Sequence, residues 1–248
     1  MTRLTIGYSV LAERVRNITP PTMESAELLV VVQNPGKTDY SRNLLATFEE
    51  LASSGVAKSR NRAIELAGGD YLVFADDDIV FDTNGLDQIC QYLDEHPEVA
   101  IALAQAQDQT GKLRKNYPKA VEKLSLLNSA RAATYEMVVR VERIRELGVS
   151  FDTDFGAGVE NYLGDEYIFI ADLLRAGGKG VFLPITIATH PEDSSGSGWG
   201  TERDRKARAK VFTRVFGVFA PAVRLAFGLR RLRELGGVGN LVRFVLGR

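Results

Sequence analysis

The chain has 248 residues, 45% hydrophobic and 25% charged, with 23 glycines and 8 prolines, which excludes a disordered, collagen-like or disulfide-stapled protein and leaves room for one large α/β domain. A single cysteine, Cys90, excludes an intrachain disulfide and a cysteine-rich zinc module. The net charge of −1 conceals a split: residues 201–248 carry 12 Lys/Arg against 3 Asp/Glu, and residues 1–200 carry 19 against 29.

In chain order, Met1–Val10 has Arg3 but no long apolar h-region, so no secretory signal is expected and the setting should be cytoplasmic and reducing. The sequon Asn17-Ile18-Thr19 is then fortuitous. Thr5–Val10 and Glu27–Gln33 read as strands, the second holding the unbroken run Leu28-Leu29-Val30-Val31-Val32 of a strand covered on both faces. Leu44, Leu45, Phe48 and Leu51 recur at helical spacing and predict a helix across Tyr40–Ser53. Ala57–Ala67 predicts another, stopped by Gly68-Gly69. Tyr71–Ala75 is a buried strand running into Asp76-Asp77-Asp78, and Leu86, Ile89, Cys90 and Leu93 mark a helix ending before Pro97. Its last residue, His96, fits a helix C-terminus. Val99–Ala104 and Thr134–Val141 predict strands, Glu142–Leu147 a short helix and Phe151–Leu163 a loop rich in Gly and acids. Asp165–Arg175 predicts a helix, Gly180–Leu183 a strand, and Pro191–Gly200 a flap or linker. Strand–helix alternation of this kind predicts a mainly parallel sheet wrapped by helices.

Two features could carry chemistry. Three adjacent carboxylates at a strand's carboxyl end sit where open α/β sheets bind ligands, and their mutual repulsion calls for a cation or hydrogen-bond donors. Hard oxygen ligands suit Mg²⁺ or Mn²⁺ with substrate phosphates, while an acidic capping loop is the plainer alternative. Upstream, Lys58-Ser59-Arg60-Asn61-Arg62 puts cations at a helix N-terminus, against the helix dipole. A bound diphosphate would reverse that sign, and a solvated basic face is the alternative.

Gly55–Ala63 followed by Gly69–Asp78 resembles the family 2 glycosyltransferases of the GT-A fold, in which a Gly-x-x-x-x-Arg-Asn stretch precedes a strand ending in Asp-x-Asp. Gly164-Asp165-Glu166, ahead of a Gly-turn and a strand ending at Pro184, is similar to the family's acidic pair. The three blocks span about residues 1–192. The resemblance implies a Rossmann-like central sheet, with a nucleotide-sugar half over about 1–105 and an acceptor half over about 106–200. It also implies inverting transfer of a sugar from a nucleotide-diphosphate donor to a glycan or lipid-linked acceptor, in polysaccharide, lipopolysaccharide or glycolipid synthesis.

By position, the resemblance makes Asp78 the direct ligand of Mn²⁺ or Mg²⁺, with Asp76 on the metal's water or the ribose and His190 as a further metal or diphosphate contact. Lys58, Arg60, Asn61 and Asp77 would face the nucleotide or its diphosphate, and Glu166 would be the base with Asp165 beside it. Three departures stand out. The first strand ends Gly7-Tyr8-Ser9-Val10, the second ends Gln33-Asn34-Pro35 in place of an acidic base-reading motif, and Trp199 is outside a Gln-x-x-Arg-Trp motif. The last points to transfer of one or a few sugars. A nucleotidyltransferase, or a non-catalytic module that binds nucleotide sugar or membrane, is the competing class.

Residues 201–248 interleave Val, Phe and Leu with arginines and predict a basic amphipathic helical tail. A spanning helix would bury Arg214 and Arg224, at about 2.5–3.5 kcal/mol each. An interfacial contact with an anionic membrane is expected instead, giving a peripheral protein, with packing on the catalytic domain or a second subunit as the alternative. On the first of these readings, removal of the tail would spare transfer to a short soluble acceptor. No nucleic-acid partner is expected, and a homo-oligomer is left open.

Overall fold

The computed structural model describes residues 3–190 and 201–248. The expected flap at Pro191–Gly200, with Trp199, lies outside the described residues. The strands are β1 (Leu4–Leu11), β2 (Ala26–Gln33), β3 (Thr47–Leu51), β4 (Tyr71–Ala75), β5 (Val80–Phe81), β6 (Val99–Gln107), β7 (Glu122–Lys123), β8 (Met137–Arg140) and β9 (Lys179–Thr189). The helices are α1 (Val56–Leu66), α2 (Thr83–Glu95), α3 (Val141–Leu147), α4 (Asp165–Arg175), α5 (Glu202–Phe216), α6 (Ala220–Arg230) and α7 (Val238–Val245).

One sheet runs in the order β3-β2-β1-β4-β8-β6-β9-β5, with β7 paired to β9. β3, β2, β1 and β4 are mutually parallel, as are β6 and β9. β8 lies antiparallel between β4 and β6, so β1, β4, β6 and β9 all point the same way. Alternate residues of the central strands feed two cores. Leu4, Ile6, Val30, Val32 and Val73 pack with Leu86, Ile89 and Leu93 of α2 on one face. Leu29, Val31, Leu72 and Phe74 pack with α1, α3 and α4 on the other. Asp82 caps α2 by accepting from Asn84 N and Gly85 N at 2.9 and 3.2 Å. Gly85 must lack a side chain, since a Cβ there would stand 2.1 Å from the Thr186 carbonyl oxygen of β9.

Several segments differ from expectation: β9 runs through Pro184 to Thr189 where a strand over Gly180–Leu183 was expected, and β5 and β7 have no counterpart among the expected strands. Residues 40–53 hold the edge strand β3 instead of a helix, paired in parallel with β2 from Leu29↔Thr47 to Gln33↔Leu51. Phe48 leans on one core and Leu51 on the other, as a strand's alternation requires, while Leu45 is 98% exposed. Pairing with a neighbour outweighed the local spacing. The strand expected over Thr134–Val141 opens with a 3₁₀ turn at Thr134–Glu136, and only Met137–Arg140 is extended.

The tail is helical, and α5 belongs to the body of the protein. Val211 and Val215 are buried with Phe155, Tyr167, Ile168 and Ala171. Arg214 pairs with Asp152 at 2.8 Å and Asp172 at 2.7 Å. Beyond it, α6 and α7 close a small core of Ala209, Phe212, Leu235, Leu241 and Phe244.

Candidate active site

The carboxyl ends of β1, β4 and β9 share one edge of the sheet, and the N-termini of α1 and α4 meet them there. β4 delivers the acidic triplet. Asp77 turns inward and accepts from Arg14 Nε at 2.8 Å and Asn17 Nδ2 at 3.1 Å, both in the 3₁₀ turn after β1. That side chain holds the first loop against the fourth strand, where the resemblance gave it a contact with the nucleotide or its diphosphate. Its neighbours Asp76 and Asp78 keep about a third of their side chains exposed. Asp78 Oδ1 lies 3.7 Å from Nε2 of His190, which stands at the end of β9 and stacks on Tyr135 at 4.9 Å between ring centres. Asp78 Oδ2 is 3.9 Å from Arg14.

Arg60 is the pivot. It is 7% exposed, donates from Nη1 to Asp165 Oδ2 at 2.5 Å and lies 3.4 Å from Asp76 Oδ1 through Nη2. Burial works against its charge, but the fields of Asp165, Asp76 and Glu166 outweigh that, and its pKa rises. This answers the cation placed against the α1 dipole: its counter-charges are the protein's own carboxylates. The α1 N-terminus is likewise occupied from within, since Val56 N donates to Ala157 O at 3.0 Å and Gly55 N to Gln33 Oε1 at 2.8 Å. Asn61 is engaged within the fold: its amide donates to Phe151 O at 2.9 Å and accepts from Phe151 N at 2.7 Å, anchoring the 151–163 loop. Lys58 is exposed on the first turn of α1.

Asp165 and Glu166 open α4 behind Gly164, which has φ 87°. Asp165 is buried and Glu166 half-buried. The loop presses on this pair: Gly156, with φ 102°, would put a Cβ 2.9 Å from Asp165 Cγ. Burial, then the charge of Asp165 and a hydrogen bond with it, push the Glu166 carboxyl up to about 8, with Arg60 pulling the other way. Asp76 is also raised, by burial first, against the pull of Arg60. One guanidinium therefore ties the end of β4 to the start of α4.

Among the described residues no three His, Cys, Asp or Glu side chains form a metal cage. Asp78 and His190 make a two-donor edge. Their 3.7 Å separation is too long for a hydrogen bond, yet shorter than twice a metal–oxygen distance of ~2.1 Å. The Asp78 carboxylate suits a Mg²⁺ or Mn²⁺ ion, whose remaining ligands would have to come mostly from water and substrate phosphate, while the His190 imidazole is the softer donor of the two.

Sequence reasoning missed Arg14, Asn17 and Tyr135. The Glu13-Arg14-Val15-Arg16-Asn17 run directly after the first strand was the available signal, since loops at that edge line the cleft. The second strand's Gln33 and Asn34 are structural. Gln33 accepts from Gly55, and Asn34 braces its turn by accepting from Thr38 N at 2.7 Å.

The family model described as Glycosyl transferase family 2 matches residues 11–148. No curated protein matches the sequence. Among solved structures, TarS of S. aureus aligns with a TM-score of 0.59 at 16% identity over 95% of this chain, which spans only 44% of that protein. TarS 1–349 in complex with UDP-GlcNAc aligns at 0.56 and 15% identity, over 99% of this chain and 82% of that one. The same fragment in complex with UDP aligns at 0.54 and 16% identity. The likeness is one of fold, the mainly parallel helix-flanked GT-A sheet expected from sequence. The family match takes in Lys58 to Asp78 and stops before Asp165, Glu166 and His190.

Proposed function

Because the chain belongs to glycosyl transferase family 2, we propose that it transfers a sugar, with inversion, from a nucleoside-diphosphate donor to a hydroxyl of a glycan or lipid-linked acceptor. The UDP and UDP-GlcNAc complexes of the structurally similar TarS support a uridine diphosphate sugar as the donor class. The reading places the work on the cytoplasmic side, in polysaccharide, lipopolysaccharide or glycolipid synthesis.

The observation that carries it is the Asp76–Arg60–Asp165–Glu166 chain beside the Asp78–His190 edge. Glu166 takes the proton of the acceptor hydroxyl as the oxygen attacks the anomeric carbon from the face opposite the diphosphate. A base with a raised pKa suits that transfer, and burial, then the charge of Asp165, raises that of Glu166. Arg60 holds Asp165 in place and so fixes where Glu166 can point. Asp76 takes the donor-side position across the same guanidinium, and Lys58 reaches the phosphates from the first turn of α1. Asp78 and His190 would hold Mn²⁺ or Mg²⁺, which when bound neutralises charge on the departing diphosphate. The loop 151–163, pinned by Asn61 and packed on Asp165 through Gly156, walls the acceptor side.

The test is a thermal-shift panel of UDP-, GDP-, dTDP- and CMP-sugars with and without Mn²⁺, followed by transfer assays with the sugars that bind. A donor-specific rise in melting temperature is expected, since ligand binding stabilises the folded state by mass action. No shift with any nucleotide sugar would overturn the reading.

A further inference from the structure

The structure divides the basic tail into two parts with different surroundings. α5 is spent on the body of the protein, against α4. By length and composition Glu202–Arg230 would suffice to cross a membrane, and a third of its most apolar stretch is buried in the fold. It breaks at Gly217, with φ 52° and ψ −124°. Arg224 is buried, donating to Val245 O at 3.1 Å and Thr213 Oγ1 at 2.7 Å.

What remains uncovered lies after that break. Phe219 is 72% and Leu229 57% exposed, with Leu225 between them on α6. Along α7 and at its C-terminal cap, Val238, Val242 and Leu246 recur every four residues and are all exposed. The opposite sides of both helices close the small core with Leu241 and Phe244. From Gly217 onward the only acid is Glu234, paired with Arg231 at 2.5 Å, and every cation is an arginine. Arg230, Arg233, Arg243 and Arg248 are exposed.

We infer that the outer surface of α6 and α7 docks on an anionic lipid bilayer, with Phe219, Leu229 and the Val238–Val242–Leu246 stripe entering the interface. Exposed apolar side chains flanked by arginines are what such an interface takes up, and the guanidinium fork matches lipid phosphate. A second copy of the same surface would set arginine against arginine, so charge favours the lipid. The assignment narrows the membrane contact from the whole tail to its last two helices, and it keeps α5 as a strut between them and the catalytic cleft.

The experiment is co-sedimentation of the intact protein with vesicles of phosphatidylcholine, alone or with about a third phosphatidylglycerol. Binding to the anionic vesicles is expected, weakening with salt because surface charge is screened beyond ~8 Å near physiological ionic strength. The F219E/L229E and R230E/R233E pairs should each lower that affinity by about tenfold or more, with melting temperature and donor-induced shift unchanged. Intact protein that ignores anionic vesicles would overturn the assignment, as would full binding by F219E/L229E or R230E/R233E. A dimer of the intact protein that F219E/L229E dissolves, without vesicle binding, would assign the surface to a second copy instead. The assay contains neither donor nor acceptor, so its failure and that of the proposed transfer reaction are separate results.

Discussion

At the scale of single residues the pair Asp165–Glu166 divides its labour by environment. Asp165 has Arg60, while Glu166 keeps its proton to about pH 8 because burial and a neighbouring carboxylate oppose its ionisation. Transfer should therefore rise with pH as Glu166 deprotonates, with an apparent pKa near 8 in kcat/KM. E166Q should lower transfer by at least ~100-fold while donor-induced thermal shifts persist. Its stability should move the opposite way. Between the ordinary carboxyl value of 4.5 and about 8 the folded protein holds a proton that the unfolded chain has lost, so stability falls as pH rises across that window. The slope is up to about 1.4 kcal/mol per pH unit. E166Q removes the titration, so denaturant melts should show it more stable than the parent at pH 8–9, with the gap closing towards pH 5. An equal gap at both pH values would mean that Glu166 ionises normally. Asp78 answers a different question. Half-exposed and outside the core, D78N should keep the fold and lose any Mn²⁺-dependent part of donor binding; undiminished Mn²⁺ dependence would remove Asp78 as a ligand.

At the scale of elements, what was legible in sequence was what neighbours in sequence decide. Leu28–Val32 and Tyr71–Ala75 announce buried strands, Asp165–Arg175 appears as the helix the spacing predicts, and His96 ends α2 with Nδ1 2.8 Å from Tyr92 O. The edge strand β3 was not legible, because its apolar residues have helical spacing and only pairing with β2 makes them a strand. The cleft shows the same division. That Asp76 and Asp78 follow a buried strand and that Asp165-Glu166 open a helix could be read from the sequence. The partners of Arg60 and Asn61 could not, since they come from α4 and from a loop 90 residues away. A short sequence block cannot show what a guanidinium or amide will meet after folding. Asn61 makes the distinction testable. N61A leaves Phe151 N and O without their partner and loosens a ring stacked on Phe169 at 4.4 Å. It should cost about 1–3 kcal/mol in denaturant unfolding, with donor affinity little changed. A large loss of donor binding at full stability would return Asn61 to the diphosphate.

At the scale of the whole molecule, the charge split does not mark two independent parts. The basic α5 lies on the acidic body, and the contact reaches the active site: a Cβ on Gly164, the residue capping α4 before Asp165, would stand 2.5 Å from Val211 of α5. This bears on the expectation that a chain without its tail would still serve a soluble acceptor. Removing residues 205–248 would strip the cover from Phe155, Tyr167, Ile168 and Ala171 and take Arg214 from Asp152 and Asp172. Loss of folding, and with it of all transfer, is expected. Two point variants separate the forces involved. Arg214 and its partners are partly exposed, so R214A should cost no more than about 1 kcal/mol, and less in high salt. Val215 is fully buried, and V215D would set an unpaired carboxylate among apolar side chains, a loss of about 3 kcal/mol or more. If V215D also slows transfer to a soluble acceptor far more than R214A does, α5 holds the α4 terminus, and Glu166 with it, by apolar packing. The reverse order, with R214A the more damaging and sensitive to salt, would make the contact electrostatic. The acidic and basic parts of the chain would then be held together by their opposite charge.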